Sequence, residues 1–164
     1  MAIVLLAIVD FARIYTTTMT VESAAREAAD FGTTFGAMKW DDFNRPMTEE
    51  RMQTRACVAA SNLPDYLGDA PGTEPTTCTN PSFDYCVTPT VGGACVPIET
   101  GFGCEDPDRA TPCAVTVTLT YEFHLLAPFH IEFLGVQIGM PNTLNFQRDS
   151  TFAITDIALS GAGS

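Results

Sequence analysis

The first nine residues of the chain, Met1–Val9, are all apolar, and ordered polar positions follow them at once. Asp10 and Arg13 lie three residues apart, so their side chains share one face of a helix and can form an ion pair. The sequence then has no proline before residue 46 and is rich in helix-favouring Ala, Met, Arg and Glu. We therefore expect one helix over residues 1–36, about 50 Å long, whose apolar N-terminal half protrudes from the domain.

The apolar run fits neither a transmembrane span nor a secretory signal peptide. A bilayer requires about 20 apolar residues, and no basic residue precedes this shorter run. Asp10 and Arg13 also stand where a small-residue cleavage site is expected. A helix that is apolar on every side needs apolar neighbours on every side, in a membrane or in a bundle of subunits. The alternative is a helix start buried inside a globular core.

The charge of the chain excludes some functions. It has 20 acidic and 8 basic residues, a formal net charge of −12. A surface this negative repels phosphate groups, which excludes nucleic acid as a partner and disfavours electrostatic docking on anionic lipid. Residues 41–112 hold 12 acidic and 4 basic side chains, whereas residues 1–40 hold 4 and 3. The middle of the chain is therefore expected to face solvent.

The cysteines indicate an oxidising compartment. An even number of cysteines in loop-rich sequence is typical of a disulfide framework. Zinc is the competing interpretation, but there is no Cys-x-x-Cys pair, and His124 and His130 are not at ligand spacing with any cysteine. The pairing stays open, since six cysteines allow 15 complete connectivities. The six candidate disulfide residues are Cys57, Cys78, Cys86, Cys95, Cys104 and Cys113.

The middle of the chain predicts one further helix and a long irregular region. The helix is expected from Met47 to Asn62, with Thr48 as its N-cap and Pro64 after its end. Residues 63–112 are dense in Pro, Gly, Thr and Asp, which predicts irregular loops that the disulfides hold in order.

Strict alternation of apolar and polar residues begins after Cys113 and predicts a strand with one dry and one wet face. A bulged second strand is expected over residues 131–138 and a third over residues 150–159. The apolar positions of the first strand are Val115, Val117, Leu119, Tyr121 and Phe123.

These elements predict an α+β fold in which the helices cover the apolar face of a small antiparallel sheet. We expect residues 1–36 to form an N-terminal assembly or membrane helix and residues 37–164 an extracellular globular domain. Within that domain, residues 57–113 are the cysteine-rich loops and residues 113–159 the C-terminal sheet.

The N-terminal sequence resembles a known family. Residues 10–13 are Asp-Phe-Ala-Arg, and residues 23–29 are Ser-Ala-Ala-Arg-Glu-Ala-Ala. This order is similar to the N-terminal helix of TadE/TadG-like proteins, pseudopilins of the tight-adherence (Tad) branch of type IV pilus systems. The C-terminal part is similar too, with a Val-x-Val-x-x-x-Tyr strand, a break at Pro128 and a last strand rich in Ser and Thr. The resemblance covers residues 1–36 and 113–158.

The chain departs from the family at its start. Members carry further apolar residues upstream, a leader ending in Gly, and a Glu near the start of the mature helix. Here residue 5 is Leu5, and no Glu occurs before Glu22. We therefore expect either a product cut deeper than usual or a sequence that lacks its upstream residues.

The resemblance implies a pilin-like fold and a structural role without catalysis or cofactor. The resemblance implies that copies of the chain assemble into a homo-oligomeric helical filament on the cell surface. Its subunits are anchored in the membrane before assembly and handled by inner-membrane assembly machinery before export. The apolar face is expected to pass from lipid into a bundle of neighbouring helices, and Asp10 and Arg13 to pair with each other or across subunits. The candidate assembly interface is Ile3, Val4, Leu5, Leu6, Ile8, Asp10, Phe11, Arg13 and Ile14.

A second hypothesis is a secreted or membrane-anchored disulfide-rich module for binding or adhesion, with calcium as one ligand. The acidic residues Glu105, Asp106 and Asp108 support it, as do Asp65 and Asp69, although the helix-flanked calcium loop is absent. A solvated acidic loop is the simpler interpretation of these residues, so we expect no metal site. No motif of an enzyme is present.

Overall fold

The computed structural model describes residues 2–34, 40, 43–70, 72–73, 76–89, 91, 104, 112–126, 130–133, 136–139 and 142–154. These residues form helices and antiparallel strands, which confirms the α+β fold. The helices are α1 (Ala2–Thr33) and α2 (Arg45–Ala60). The strands are β1 (Leu67–Gly68), β2 (Cys78–Asn80), β3 (Ser82–Thr88), β4 (Ala114–His124), β5 (His130–Phe133), β6 (Val136–Gly139) and β7 (Thr143–Ala153).

Strand β4 is the centre of the main sheet, in the order β3-β4-β7. Both neighbours are antiparallel to it, and Val117 pairs with Tyr85 on one side and Ser150 on the other. The alternation predicted from the sequence is confirmed, because all five apolar residues from Val115 to Phe123 are fully buried. The polar residues between them lie on the opposite, outer face of the sheet.

The helices cover the apolar face of this sheet. In the second half of α1, four alanines (24, 25, 28 and 29) are fully buried, and their small side chains let the helix lie close to its neighbours. A side chain at Gly32 would collide with Met52 of α2 and Val115 of β4, so glycine permits the close approach of all three elements. The Trp40 indole N–H donates to the carbonyl of Gly32 at 2.9 Å. This bond gives a hydrogen-bond partner to one of the carbonyl groups in the last turn of α1.

Helix α2 begins earlier than predicted, and the expected N-cap at Thr48 is wrong. Asn44 occupies the N-cap position without a side-chain cap, and Pro46 lies in the first turn, where its missing N–H costs nothing. Thr48 lies inside the helix, is buried, and its hydroxyl donates to the carbonyl of Asn44.

The prediction of irregular loops over residues 63–112 is wrong for strand β3, which pairs with β4 along its whole length. Its alternation of polar and apolar residues is short and is flanked by Pro, Thr and Asp, so the sequence pattern did not indicate a strand.

The last strand also differs from the prediction, because β7 begins at Thr143, seven residues earlier than expected. Residues 155–159 lie outside the described residues. The single bulged strand predicted over 131–138 is instead the hairpin β5-β6.

One disulfide connects the helical layer with a strand, and a second lies next to β4. Cys57 of α2 is bonded to Cys78 of β2, and Cys104 is bonded to Cys113, which directly precedes β4. Cys86 is also disulfide-bonded, and no free cysteine occurs among the described residues. The predicted use of cysteines in disulfides is therefore confirmed for the described part of the chain.

Candidate assembly surface

The first half of α1 presents a continuous apolar surface to solvent. Large side chains there are between 43% and 71% exposed, although most other apolar side chains among the described residues are buried or partly buried. Contiguous exposed apolar surface is typical of an interaction site in proteins that are otherwise well packed. We call these residues the α1 apolar face: Leu5, Leu6, Ile8, Val9, Phe11, Tyr15 and Met19.

The second half of α1 has a different environment. From Val21 onward, the side of the helix that faces β4 and β7 is fully buried. Between the halves, the hydroxyls of Thr16, Thr18 and Thr20 donate to carbonyls one turn earlier in the helix. These hydroxyl groups therefore have hydrogen-bond partners within their own helix and need none from another element. One helix therefore combines a packed second half with a first half whose α1 apolar face lacks cover among the described residues.

Asp10 and Arg13 connect the first half of α1 to the sheet. The Asp10 carboxylate is buried and accepts from the Arg13 guanidinium at 3.2 Å. It also accepts from the backbone N–H of Leu126, just beyond the end of β4, at 3.3 Å. The Arg13 guanidinium lies 4.8 Å from the centre of the Phe123 ring, within the range of a cation–π contact. The pair therefore fixes α1 against the end of the sheet.

The structure separates the candidate interface residues into two groups. Exposed members lie on the α1 apolar face: Leu5, Leu6, Ile8 and Phe11. Asp10, Arg13 and the half-buried Ile14 lie on the side that packs against the core. The side chains of Ile3 and Val4 lie outside the described residues. Sequence reasoning missed Tyr15 and Met19, although they follow Phe11 at a spacing of four residues.

Two acidic residues considered for calcium have partners within the chain. The Asp69 carboxylate accepts from the backbone N–H and the hydroxyl of Thr77, and these bonds lower the pKa of Asp69 below its usual value. Asp65 accepts from the backbone N–H of His124 at 2.8 Å. No group of three or more metal-ligating side chains comes together in the described part of the chain. Glu105, Asp106 and Asp108 lie outside it.

Within the described ranges, no helix combines the length and the apolarity that crossing a membrane requires.

Comparison with known proteins finds a family match for the N-terminal segment. Residues 1–30 match the model of the TadE-like protein family. This match covers most of α1, including the α1 apolar face and the Asp10–Arg13 pair. No curated protein and no solved structure is significantly similar to the chain. The N-terminal helix of the chain is therefore similar to that of TadE-like proteins.

Proposed function

We propose that this protein is a structural subunit of a Tad pilus-like filament and assembles through the α1 apolar face. The observation that carries the proposal is the exposure of large apolar side chains over the first five turns of α1, in the segment that matches the TadE-like family. Residues 1–36 would act as the assembly segment and residues 37–164 as the outer domain.

Burial of the α1 apolar face would contribute favourably to assembly. Burial of a large apolar side chain yields about 1.5–3 kcal/mol, so five such side chains give on the order of 10 kcal/mol per subunit before association costs. The ordering of side chains and the loss of translational and rotational freedom on association offset a considerable part of this free energy. Because each subunit in a helical filament meets several neighbours, this burial is divided among several contacts.

The same apolar face is suited to two environments in turn. Before assembly it would lie against lipid together with the inner-membrane assembly machinery, and afterwards against the α1 helices of other copies. Apolar surface would thus stay covered throughout. The Asp10–Arg13 pair would set the direction in which the free half of α1 leaves the sheet, and with it the register of helices in the filament.

The globular part would form the outer surface of the filament. Its acidic residues 41–112 would keep the surface solvated, and the disulfides would protect it from proteolysis. We propose a structural role, with adhesion as a function of the outer domain, and no catalysis.

The proposal is tested by placing a charge on the α1 apolar face. Phe11→Glu should abolish filaments, because a carboxylate at a residue now 71% exposed would be buried among apolar neighbours on assembly. The matched control is Phe43→Glu, the same change at an aromatic that is 85% exposed outside α1. Filaments sheared from producing cells are counted by electron microscopy.

Filaments with Phe43→Glu but not with Phe11→Glu would support the proposal. Wild-type assembly of Phe11→Glu would contradict it. A wild-type chain recovered solely as a soluble monomer would instead favour an exported binding module.

A further inference from the structure

A second surface lies on the helical layer, on the outside of the molecule between α1 and α2. It is a groove of about 660 Å³, and we call it the α1–α2 groove. Along α2, its residues follow one helical stripe with spacings of three and four. The lining is Glu27 and Phe31 of α1 with Met47, Glu50, Arg51, Thr54, Arg55 and Val58 of α2.

The groove contains one cation that the described part of the molecule does not use. Arg55 is engaged, because its guanidinium lies 4.6 Å from the centre of the Phe31 ring and 3.7 Å from the Glu27 carboxylate. Arg51 is exposed one turn away and has no ion pair or hydrogen bond among the described residues. Exposed Met47 and Val58 flank it on the same stripe. A fitting partner therefore offers a carboxylate to Arg51 and aliphatic groups to its flanks.

The outer face of the main sheet offers that chemistry. Asp84 of β3 and Asp149 of β7 both lie opposite Thr118 of β4, so the two residues flank the central strand with their backbones about 10 Å apart. Both are exposed, and neither has a cationic partner in the described part of the chain. Thr118 lies between them, and Thr116 and Thr120 follow on either side of it along β4. Their methyl groups suit the apolar flanks, and the hydroxyls of Thr118 and Thr120 can donate to Glu50.

The two surfaces lie on opposite sides of one subunit. Helices α1 and α2 cover the apolar face of the sheet, so the groove opens on the helical layer and the carboxylates point away from it. A contact between two different, opposed surfaces is heterologous, and repetition gives an open helical array and not a closed dimer.

We propose that the α1–α2 groove binds the outer sheet face of a second copy of this chain, with Arg51 of one copy on Asp84 and Asp149 of the next. The inference rests on the proposed filament and adds a contact between globular domains to the contact through α1. Charge complementarity selects this occupant, since the α1 apolar face offers no carboxylate to Arg51.

The test uses charge reversal on the two surfaces. In cells that produce one variant, Arg51→Glu should lower the amount of chain in sheared filaments by about tenfold or more, because like charges would then face each other. The combined Asp84→Arg and Asp149→Arg variant should do the same. Arg51→Lys, which keeps the charge, serves as the control and should assemble.

Co-expression of the two reversed chains separates this contact from effects on folding. In a mixed filament, each groove with the Arg51→Glu change meets a sheet face that carries arginines, and each native groove meets a native face, so assembly should recover. Failure of the two chains to rescue each other, or wild-type assembly of Arg51→Glu alone, would overturn the inference. Absence of wild-type filaments would overturn the proposed function itself.

Discussion

At the scale of single residues, Asp10 joins two parts of the molecule that are far apart in sequence. Its carboxylate accepts both from Arg13, three residues along the helix, and from the backbone of Leu126, 116 residues away. The helical spacing predicted the first partner, because residues three apart share a face. The second could not be predicted, since no local pattern records where the end of β4 comes to lie.

Substitution of Asp10 should therefore destabilise the isolated protein. Asp10→Ala leaves the Leu126 N–H without its acceptor and Arg13 without its counter-ion, which should lower the free energy of unfolding by about 1–3 kcal/mol. Chemical denaturation followed through the single tryptophan measures this change.

The control for this prediction is Glu22→Ala, which removes the exposed Glu22–Arg26 pair of the same helix. That change should cost less than about 1 kcal/mol, because solvent screens surface pairs. Equal effects of the two substitutions would show that Asp10 does not fix α1 to the sheet. An Asp10→Ala variant that assembles normally would further show that the register of the filament does not depend on it.

At the scale of elements, long periodic segments were predictable and short ones were not. Helix α1 and strand β4 carry many repeats of one pattern, so the type of both elements and the buried face of β4 could be predicted. Strand β3 has only seven residues, and the residues on either side of it favour turns. Its pairing with β4 outweighs this local preference. The division of the α1 apolar face from the packed side depends on the position of the sheet, which the sequence does not contain.

The Cys57–Cys78 disulfide ties α2 to the small β1-β2 sheet, an arrangement that the spacing of cysteines left open. It spans 21 residues, so removing it with Cys57→Ser and Cys78→Ser should lower the free energy of unfolding by about 3 kcal/mol through the gain in freedom of the unfolded chain. Limited proteolysis of the oxidised protein and the double variant measures the consequence. Unchanged protease resistance would contradict a protective role for this disulfide.

At the scale of the whole molecule, the chain has a packed core and two kinds of uncovered surface. The α1 apolar face is suited to other α1 helices. Arg51 in the α1–α2 groove and the two aspartates on the outer sheet face carry opposite charges on opposed sides, and none of the three has an ion pair among the described residues. The α1 apolar face would provide strong association, and the contact between the groove and the outer sheet face would orient the copies. Together they would define a filament with a single repeat.

The central claim is that the α1 apolar face is the surface through which copies assemble. Electron cryomicroscopy of filaments sheared from producing cells tests it most directly. The account predicts a central bundle of α1 helices in which Leu5, Ile8 and Phe11 contact neighbouring copies, while Asp10 stays bound to the end of β4. Filaments in which these side chains face solvent, or the absence of this chain from any filament, would contradict it.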